Sequence, residues 1–294
     1  MERLFSALPT PFLNGEIDFN SLEKLIEFQI KNGVEGIVLS GSTGEGHSLT
    51  KQEWIELMKF GIKIANKKCA VVAGIGFNIT APAIEYAKMA EDIGVDYILA
   101  TVPYYNKPQQ DGIYKHFEAI CNNAKNTKII LYNVPGRTVT DMSNDTIVKL
   151  VNDFSNIVAL KDATGKLDRV ADLKFKLSSV RNDFILLSGE DITQIGFNAM
   201  GGNGVMSVVS NIKPNLCKTI QELTKDGKFN NALKLQNELY EISTAMFCET
   251  NPVPVKYALY KLGIFKSDEC RLPLITLSQK SKDLVDKILL KYNK

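Results

Sequence analysis

Residues 157–165 of this chain read Ile-Val-Ala-Leu-Lys-Asp-Ala-Thr-Gly. Four successive apolar residues followed by a small turn are typical of a parallel strand that is covered on both faces. The run ends on Lys161, where such strands open into a ligand-binding crevice. Burial disfavours the ammonium form of an amine, and a neutral amine can attack a ketone to form an imine. Lysine also ends many strands because its stem packs while its ammonium reaches water, so the run alone leaves both roles open.

Short apolar, β-prone runs of this kind recur along the first two thirds of the chain, with helical patterns between them. The eight runs are residues 4–10, 36–40, 69–75, 95–101, 128–133, 157–161, 184–188 and 204–208. Eight strand–helix repeats predict an α/β fold of the (β/α)8 TIM-barrel type, with its active site at the carboxyl ends of the strands. An open doubly wound sheet is the alternative, but its Gly-rich fingerprint is missing after the first strand.

Helix ends and the C-terminal region complete the predicted organisation. Asn20 with Glu23, and Thr50 with Glu53, have the spacing of capping boxes. After about residue 225 the strand signals stop, and helical periods cover residues 228–247, 254–262 and 274–292. We therefore assign residues 1–225 to a catalytic barrel and residues 226–294 to a helical region, which we expect to pack against the barrel or another subunit.

Composition excludes several classes of function. Of 294 residues, 35 are Lys or Arg and 33 are Asp or Glu, so the net charge of +2 gives no field that would gather nucleic acid or anionic membrane. Residues 1–5 lack the long apolar segment that is typical of a secretory signal, and no later run approaches about 18 apolar residues, so we expect the protein to be cytoplasmic.

The metal-binding and redox residues are also few. Five scattered cysteines without a Cys-x-x-Cys pair argue against a disulfide framework and a structural zinc. Two histidines cannot form a three-histidine metal site, so acid–base chemistry falls to Tyr, Lys, Thr or a carboxylate.

The predicted strand ends carry chemically useful residues. After the second strand, residues 41–46 read Gly-Ser-Thr-Gly-Glu-Gly, and the backbone N–H groups of such a loop can hold a carboxylate. Tyr105 follows the fourth strand, and Tyr132 lies at the end of the fifth, one repeat before Lys161. Arg137, in the next turn, can grip a carboxylate or can be an ordinary surface residue.

Two glycine-containing turns lie next to the last two strands, one after the seventh and one before the eighth. Gly189 ends the seventh strand, and residues 201–204 read Gly-Gly-Asn-Gly before the eighth. Barrels that bind sugar phosphates place Gly-rich loops there, although tight-turn packing explains the glycines equally well. A buried lysine, a neighbouring tyrosine and a hydroxyl loop together outline a site for an α-keto acid imine.

Three motifs resemble, in order and spacing, the signatures of the dihydrodipicolinate synthase (4-hydroxy-tetrahydrodipicolinate synthase) family. They are residues 41–45 (Gly-Ser-Thr-Gly-Glu), 132–138 (Tyr-Asn-Val-Pro-Gly-Arg-Thr) and 161–165 (Lys-Asp-Ala-Thr-Gly). The resemblance covers the whole chain, and the family lies in the pyruvate-dependent, class I aldolase-like superfamily that includes N-acetylneuraminate lyase. Val-Pro-Gly-Arg-Thr is the distinguishing motif, because the lyases and sugar-acid aldolases typically lack its arginine.

The resemblance implies a reaction without cofactor or metal, on the pathway to diaminopimelate and lysine. Lys161 would form a Schiff base with pyruvate, and the derived enamine would attack L-aspartate 4-semialdehyde to give 4-hydroxy-tetrahydrodipicolinate. Ser42 and Thr43 would hold the pyruvate carboxylate through their backbone, and Arg137 would bind the carboxylate of the semialdehyde.

The resemblance also implies further roles and an assembly. Tyr132, Thr43 and Tyr105 would relay protons, with Tyr105 reaching in from the adjacent subunit of a tight dimer, and such dimers usually pair into tetramers. Gly189 and Met206 match positions that line the pyruvate pocket, where Met206 replaces a more usual branched aliphatic residue.

Two alternatives remain at this point. A sugar-acid aldolase or lyase of the same superfamily would have no use for Arg137, and a phosphate-sugar-binding or non-catalytic barrel would not need an imine-forming Lys161. Regulation is a separate question, since the resemblance implies that lysine-inhibited members bind lysine beside two adjacent tyrosines, which are Tyr104 and Tyr105 here. Here Lys51 lies on the helix that would line that site, and Pro82 stands in place of a glutamate. The cation of Lys51 and the missing carboxylate at Pro82 both disfavour binding of the ammonium group of lysine. We therefore expect weak or absent inhibition by L-lysine.

Overall fold

The computed structural model describes residues 3–292. Strands and helices alternate through the first two thirds of the chain, and helices alone follow. The strands are β1 Leu4–Ala7, β2 Phe12–Leu13, β3 Glu16–Ile17, β4 Gly36–Leu39, β5 Ala70–Ile75, β6 Tyr97–Thr101, β7 Lys128–Asn133, β8 Ile157–Asp162, β9 Ile185–Ser188 and β10 Gly204–Ser207. The helices are α1 Phe19–Lys31, α2 Lys51–Ala65, α3 Thr80–Ile93, α4 Gln110–Asn123, α5 Pro135–Thr138, α6 Asn144–Asp153, α7 Leu167–Leu177, α8 Gln194–Ala199, α9 Pro214–Lys225, α10 Phe229–Ala245, α11 Val253–Lys261 and α12 Gln279–Tyr292.

Within residues 3–292, eight of these strands form a closed barrel in the order β1, β10, β9, β8, β7, β6, β5 and β4. The predicted (β/α)8 barrel is therefore confirmed, and the alternative of an open doubly wound sheet is wrong. All eight predicted runs coincide with barrel strands, with small shifts at their ends. The short antiparallel hairpin of β2 and β3 was not predicted.

Strands β7 and β8 pair in parallel with one irregularity near their amino ends. The pairing passes from Ile129 with Ile157 to the next residue of β7 with Ala159, so Val158 is an extra residue in β8. A bulge of this kind interrupts the ladder locally and re-aims the residues that follow. Regular pairing then continues to the carboxyl ends of both strands.

The chain divides into two compact units, and each has its own buried apolar residues. The first consists mainly of Val72–Met206, and the second combines Leu4–Val71 with the chain from Ser207 onward. Our assignment of residues 1–225 to the barrel and 226–294 to a helical region stays a prediction.

Helix ends match the sequence expectations in part. Thr50 and Glu53 form the predicted capping box of α2, with reciprocal hydrogen bonds between side chain and backbone. The box predicted at Asn20 and Glu23 is wrong, because α1 begins at Phe19 and is capped by Asp18, two residues before Asn20. The Asp18 carboxylate accepts the backbone N–H groups of Asn20 and Ser21, which satisfies two of the donors that a helix start leaves unpaired.

The C-terminal helices α10, α11 and α12 also match the predicted helical periods, except that α12 starts later than predicted. α10 and α11 agree with the expectation to within a few residues, whereas α12 begins at Gln279, five residues after the predicted start at Leu274. Among the described helices, none has both the length and the apolar composition that a bilayer span requires. None of the five cysteines, which all lie in the described part of the chain, forms a disulfide.

Candidate active site

Lys161 and Tyr132 lie side by side at the carboxyl ends of β8 and β7. The two residues are directly paired in the strand register, so both side chains project to the same face of the sheet. Lys161 is 7% exposed and Tyr132 is 5% exposed. The Lys161 Nζ lies 4.4 Å from the centroid of the Tyr132 ring, within cation–π distance. The structure thus brings together the amine and the phenol that the sequence analysis singled out.

Asp162, directly after Lys161, is held by a network of polar groups. Its carboxylate lies 2.8 Å from Nε of Arg169 and accepts the backbone N–H of Thr164 at 2.8 Å and its hydroxyl at 2.6 Å. Arg169 also donates to Asp141 at 3.1 Å, and that carboxylate accepts the amide of Asn133 at 2.8 Å. The network ties the residue after Lys161 to the residue after Tyr132, which restricts the freedom of both strand ends.

Gly189, at the end of β9, packs tightly against the end of β8. Its N–H donates to the carbonyl of Asp162 at 2.7 Å, and a Cβ at this position would lie 2.6 Å from the Cβ of Ala163. The absence of a side chain is therefore a packing requirement here. Met206, on β10, is buried at 1% exposure. Both remain predicted pocket residues on the basis of the resemblance.

Glu190 lies close enough to two cations to respond to both charges. Burial raises the pKa of the Glu190 carboxyl, and the neighbouring Asp191 adds to the rise. The positive charges of Lys161 and Arg137 oppose the rise but do not cancel it. Lys161, Arg137 and Glu190 therefore share one electrostatic environment, although the sequence analysis gave Glu190 no role.

Arg137 lies on the short helix α5, which opens with Pro135. The helix ends at Thr138, and its C-cap residue Val139 has a φ of +55°, which is unusual for a β-branched residue. The Thr138 hydroxyl donates to the carbonyls of Val134 and Thr140, which fixes the turn. Arg137 is an exposed residue on this fixed turn, so its guanidinium is accessible to a solute.

Tyr105 differs from the buried pair of Lys161 and Tyr132. Its side chain is 85% exposed, and its φ is +72°, in the left-handed region. The next residue, Asn106, donates its side-chain amide to the carbonyl of Asn78 at 2.6 Å. In a single chain Tyr105 therefore contacts solvent, on a loop held by its neighbour.

The Ser42–Thr43 loop belongs to the second unit and is closed by backbone bonds. The N–H of Gly46 donates to the carbonyl of Gly41 at 3.2 Å, and the hydroxyl of Thr10 donates to the carbonyl of Gly44 at 2.6 Å. A Cβ on Gly46 would lie only 2.1 Å from the carbonyl oxygen of Ser40, so the tight turn requires glycine there. Thr43 is 4% exposed, and its hydroxyl accepts the side-chain amide of Asn251 at 2.9 Å.

A fully buried ion pair follows in the same loop. Oε1 of Glu45 lies 2.6 Å from Nζ of Lys256, and both side chains are 0% exposed. The other carboxylate oxygen accepts the backbone N–H of Arg271 at 3.0 Å, and the Lys256 ammonium lies 4.3 Å from the centroid of the Phe12 ring. The loop that carries Thr43 is thereby anchored to α11.

The glycines of residues 201–204 have packing explanations. A Cβ on Gly202 would lie 2.2 Å from the ring of Phe197, and a Cβ on Gly204 would lie 2.1 Å from the carbonyl oxygen of Arg3. The side chain of Asn203 accepts the backbone N–H of Leu186. These contacts favour tight-turn packing over a phosphate loop. Within residues 3–292, no group of three or more His, Cys, Asp or Glu side chains is arranged to hold a metal ion.

Comparison with known proteins agrees with this geometry. The model of the dihydrodipicolinate synthetase family matches residues 1–292. This chain belongs to that family. A 4-hydroxy-tetrahydrodipicolinate synthase of Methylobacterium radiotolerans is 45% identical over 284 residues, which are 97% of this chain and 93% of the relative.

Other members of the dihydrodipicolinate synthetase family are similarly close. The synthase of Sulfurihydrogenibium sp. is 41% identical over 98% of this chain and 97% of its own length. The crystal structure of dihydrodipicolinate synthase from Aquifex aeolicus has a TM-score of 0.96 at 37% identity and covers 100% of this chain and 98% of that one. The resemblance inferred from three motifs therefore extends over the whole chain.

Sequence reasoning missed the residues that support the candidate site. Asp162 and Glu190 follow the expected strand ends directly, and this adjacency was the available signal for both. Arg169 lies on a different element from its partner Asp162, and Asn251 is 208 positions from Thr43, so local patterns did not reveal these pairs.

Proposed function

We propose that this protein condenses pyruvate with L-aspartate 4-semialdehyde to give 4-hydroxy-tetrahydrodipicolinate, through a Schiff base on Lys161. The observation that carries the proposal is the buried Lys161 Nζ beside the Tyr132 ring at the end of β8. An amine held against an aromatic ring, with limited access to water, suits nucleophilic attack on a ketone. Membership of the dihydrodipicolinate synthetase family supports the same reaction.

The first stage activates pyruvate. The amine of Lys161 attacks the C2 carbonyl, and the resulting carbinolamine takes up a proton and loses water to leave an iminium. Loss of one methyl proton then gives an enamine, because the iminium nitrogen accepts the electron pair of the broken C–H bond. Tyr132, Thr43 and Tyr105 are proposed to relay the protons, since hydroxyl and phenol groups can donate and accept without a permanent charge.

The second stage forms the carbon–carbon bond. The enamine carbon attacks the aldehyde carbon of the semialdehyde, and the aldehyde oxygen takes a proton. The substrate amine then attacks the iminium carbon, which closes the ring and releases Lys161. Arg137 is proposed to bind the carboxylate of the semialdehyde, and its accessible position on the fixed turn of α5 supports that role.

The remaining site residues are assigned from the family motifs. Ser42 and Thr43 are proposed to hold the pyruvate carboxylate through backbone N–H groups, and Gly189 and Met206 to line the pocket. Tyr105 is exposed in the single chain, as expected of a residue that a second subunit covers. We therefore infer a homo-oligomer, either a tight dimer or a dimer of dimers. A cytoplasmic location follows from the proposed place of the reaction in amino-acid biosynthesis.

The direct test supplies pyruvate and L-aspartate 4-semialdehyde to the purified chain and couples the product to its NADPH-dependent reductase. We expect turnover by the wild type and a loss of at least about 10³-fold in kcat/KM for Lys161→Ala. Lys166→Ala is the matched control, because Lys166 is exposed and five residues away. Turnover by Lys161→Ala at the control's rate would disprove the Schiff-base assignment.

A second assay separates the alternatives. Borohydride with pyruvate should trap a reduced adduct on Lys161 in any imine-forming member of the superfamily. An adduct without turnover of the semialdehyde would point to a sugar-acid aldolase, and the absence of both would point to a non-catalytic barrel. L-Lysine is expected to inhibit weakly or not at all, and inhibition at low millimolar concentration would contradict that expectation.

A further inference from the structure

The segment of residues 134–142, which we call the Arg137 turn, contains an unfavourable backbone conformation. Val139 has a φ of +55°, in the left-handed region, where the branched side chain of valine crowds the backbone. Its side chain is 66% exposed, so burial of that side chain does not compensate for the conformation. Such a conformation persists only where contacts of the surrounding residues hold it. The contacts that follow Val139 therefore need an explanation.

The first of these contacts are made by the carboxylate of Asp141, two residues after Val139. Its Oδ1 accepts the side-chain amide of Asn133 at 2.8 Å and Nη1–H of Arg169 at 3.1 Å. Asn133 is the last residue of β7, and Arg169 lies on α7. One carboxylate oxygen thus connects the Arg137 turn to a strand end and to a helix.

The backbone at the end of the turn is held as well. The N–H of Met142 donates to Oδ1 of Asn133 at 3.0 Å, and the carbonyl of Met142 accepts from the guanidinium of Arg169. The carbonyl of Asp141 accepts the side-chain amide of Gln110, the first residue of α4, at 2.9 Å. Asn133 and Met142 are both 0% exposed, so water does not replace these bonds. Contacts from β7, α7 and α4 therefore fix the end of the Arg137 turn.

We propose that Asp141 is a positioning residue for Arg137. Together with Asn133 and Arg169 it holds the turn in the conformation that Val139 disfavours, and so keeps the guanidinium where the carboxylate of the second substrate binds. The inference rests on the proposed function, because it assumes that Arg137 binds that carboxylate. Asp141 acts through the turn and needs no contact with either substrate.

The proposed mechanism predicts which stage of the reaction depends on Asp141. Imine formation on Lys161 releases water before the semialdehyde reacts, so kcat/KM for pyruvate reports on the first stage alone. Arg137 acts in the second stage. A displaced turn should therefore lower kcat/KM for the semialdehyde and leave kcat/KM for pyruvate unchanged. A general loss of folded protein would lower both values equally.

The decisive variant is Asp141→Ala, measured with each substrate in the coupled assay. We expect kcat/KM for the semialdehyde to fall by about 10- to 100-fold, and kcat/KM for pyruvate to change by less than about twofold. Asp141→Asn keeps an oxygen that can accept from both donors, so it should stay within roughly threefold of wild type for both substrates. Asp145→Ala is the matched control, because Asp145 also forms an ion pair, with Lys176 at 2.7 Å, but lies on α6 outside the turn.

Val139→Asn tests whether Asp141 acts by holding the turn. Asparagine adopts the left-handed region more readily than valine, so the turn should keep its conformation with fewer contacts. In the wild-type background this substitution should change kcat/KM for the semialdehyde by less than about twofold, and in Asp141→Ala it should restore most of the loss. A loss that Val139→Asn does not reduce would overturn the inference.

The same assays separate the inference from the proposed function. Wild-type turnover with an unchanged kcat/KM for the semialdehyde in Asp141→Ala, or with equal falls for both substrates, would overturn the inference and keep the condensation. No turnover of the semialdehyde by the wild type would overturn both. If Asp141→Ala does not fold, Gln110→Ala removes the bond to the Asp141 carbonyl and is judged by the same two values of kcat/KM.

Discussion

Two ion pairs in the described part of the chain, Arg169–Asp162 and Lys256–Glu45, support neighbouring residues in different ways. Arg169–Asp162 follows Lys161 directly, and its two side chains are 11% and 5% exposed. Asp162 has further donors in Thr164, and Arg169 has a second carboxylate partner in Asp141. The first pair is therefore one member of a network whose polar groups have more than one partner.

Lys256–Glu45, near Thr43, is fully buried, and its ammonium packs against the ring of Phe12. Removal of Lys256 leaves the fully buried Glu45 carboxylate with one neutral donor, the N–H of Arg271, whereas removal of Arg169 leaves Asp162 with two donors from Thr164. We therefore expect the support beside Lys161 to tolerate the loss of a partner better than the support beside Thr43. Four measurements test this expectation.

The largest expected effect is that of Lys256→Met. The substitution removes the cation and leaves the Glu45 carboxylate buried, so the free energy of unfolding should fall by about 3–5 kcal/mol. Urea denaturation followed by circular dichroism measures the change. Lys256→Met combined with Glu45→Gln should recover part of the loss, because no unpaired charge remains. A single variant as stable as wild type would show that the buried pair is not the anchor we describe.

His116 is a buried titratable group whose partner is neutral, in contrast to the two ion pairs. Its Nδ1 lies 3.0 Å from the hydroxyl of Thr80. Burial lowers the pKa of His116 from 6.5 to about 4. The unfolded chain therefore binds more protons between these values, and stability that is complete above pH 6.5 is lost as the pH falls toward 4. The loss amounts to about 3 kcal/mol. His116→Gln should remove this component from urea midpoints measured across pH 4–7, and an unchanged pH dependence would contradict it.

Arg169→Met should have a smaller effect than Lys256→Met. The Asp162 carboxylate keeps the N–H and hydroxyl of Thr164, so we expect a loss of about 1–3 kcal/mol in the free energy of unfolding. Denaturation under the same conditions gives a direct comparison, with Arg169→Lys as the variant that keeps the charge. A loss as large as that of Lys256→Met would mean that the network provides no alternative support.

The smallest effect is expected at Glu190. Because the folded pKa of this carboxyl is raised, the folded chain binds more protons than the unfolded chain above pH 4.5. Stability is therefore greatest below that value and declines as the pH rises through the folded pKa. Glu190→Gln should be slightly more stable than wild type at pH 7 and indistinguishable from it below pH 4.5. A destabilised variant at pH 7 would indicate that the negative charge is needed beside Lys161 and Arg137.

The barrel could be predicted because its strands are continuous apolar runs separated by helical periods, and both patterns are local. The hairpin of β2 and β3 was missed because two-residue strands are too short to show a period. The start of α1 was misplaced since Asn20 and Glu23 have capping-box spacing, yet Asp18 supplies the actual cap. Local spacing alone does not decide between two polar residues that can both cap a helix.

The candidate site was predictable where it depends on strand ends. Lys161 and Tyr132 end consecutive barrel strands, so their proximity follows from the fold. The supporting contacts could not be predicted in the same way. Asn251 lies 208 positions from Thr43, and Lys256 lies 211 positions from Glu45, so only the folded chain brings these partners together.

The extra residue Val158 has a consequence for how this family can vary. The pairing of Lys161 with Tyr132 depends on the regular ladder that begins at Ala159, after the bulge, and not on where β8 starts. A change in the length of the loop before β8 therefore leaves this pairing in place as long as the ladder from Ala159 onward is kept. Lys161 then keeps the same aromatic neighbour, Tyr132.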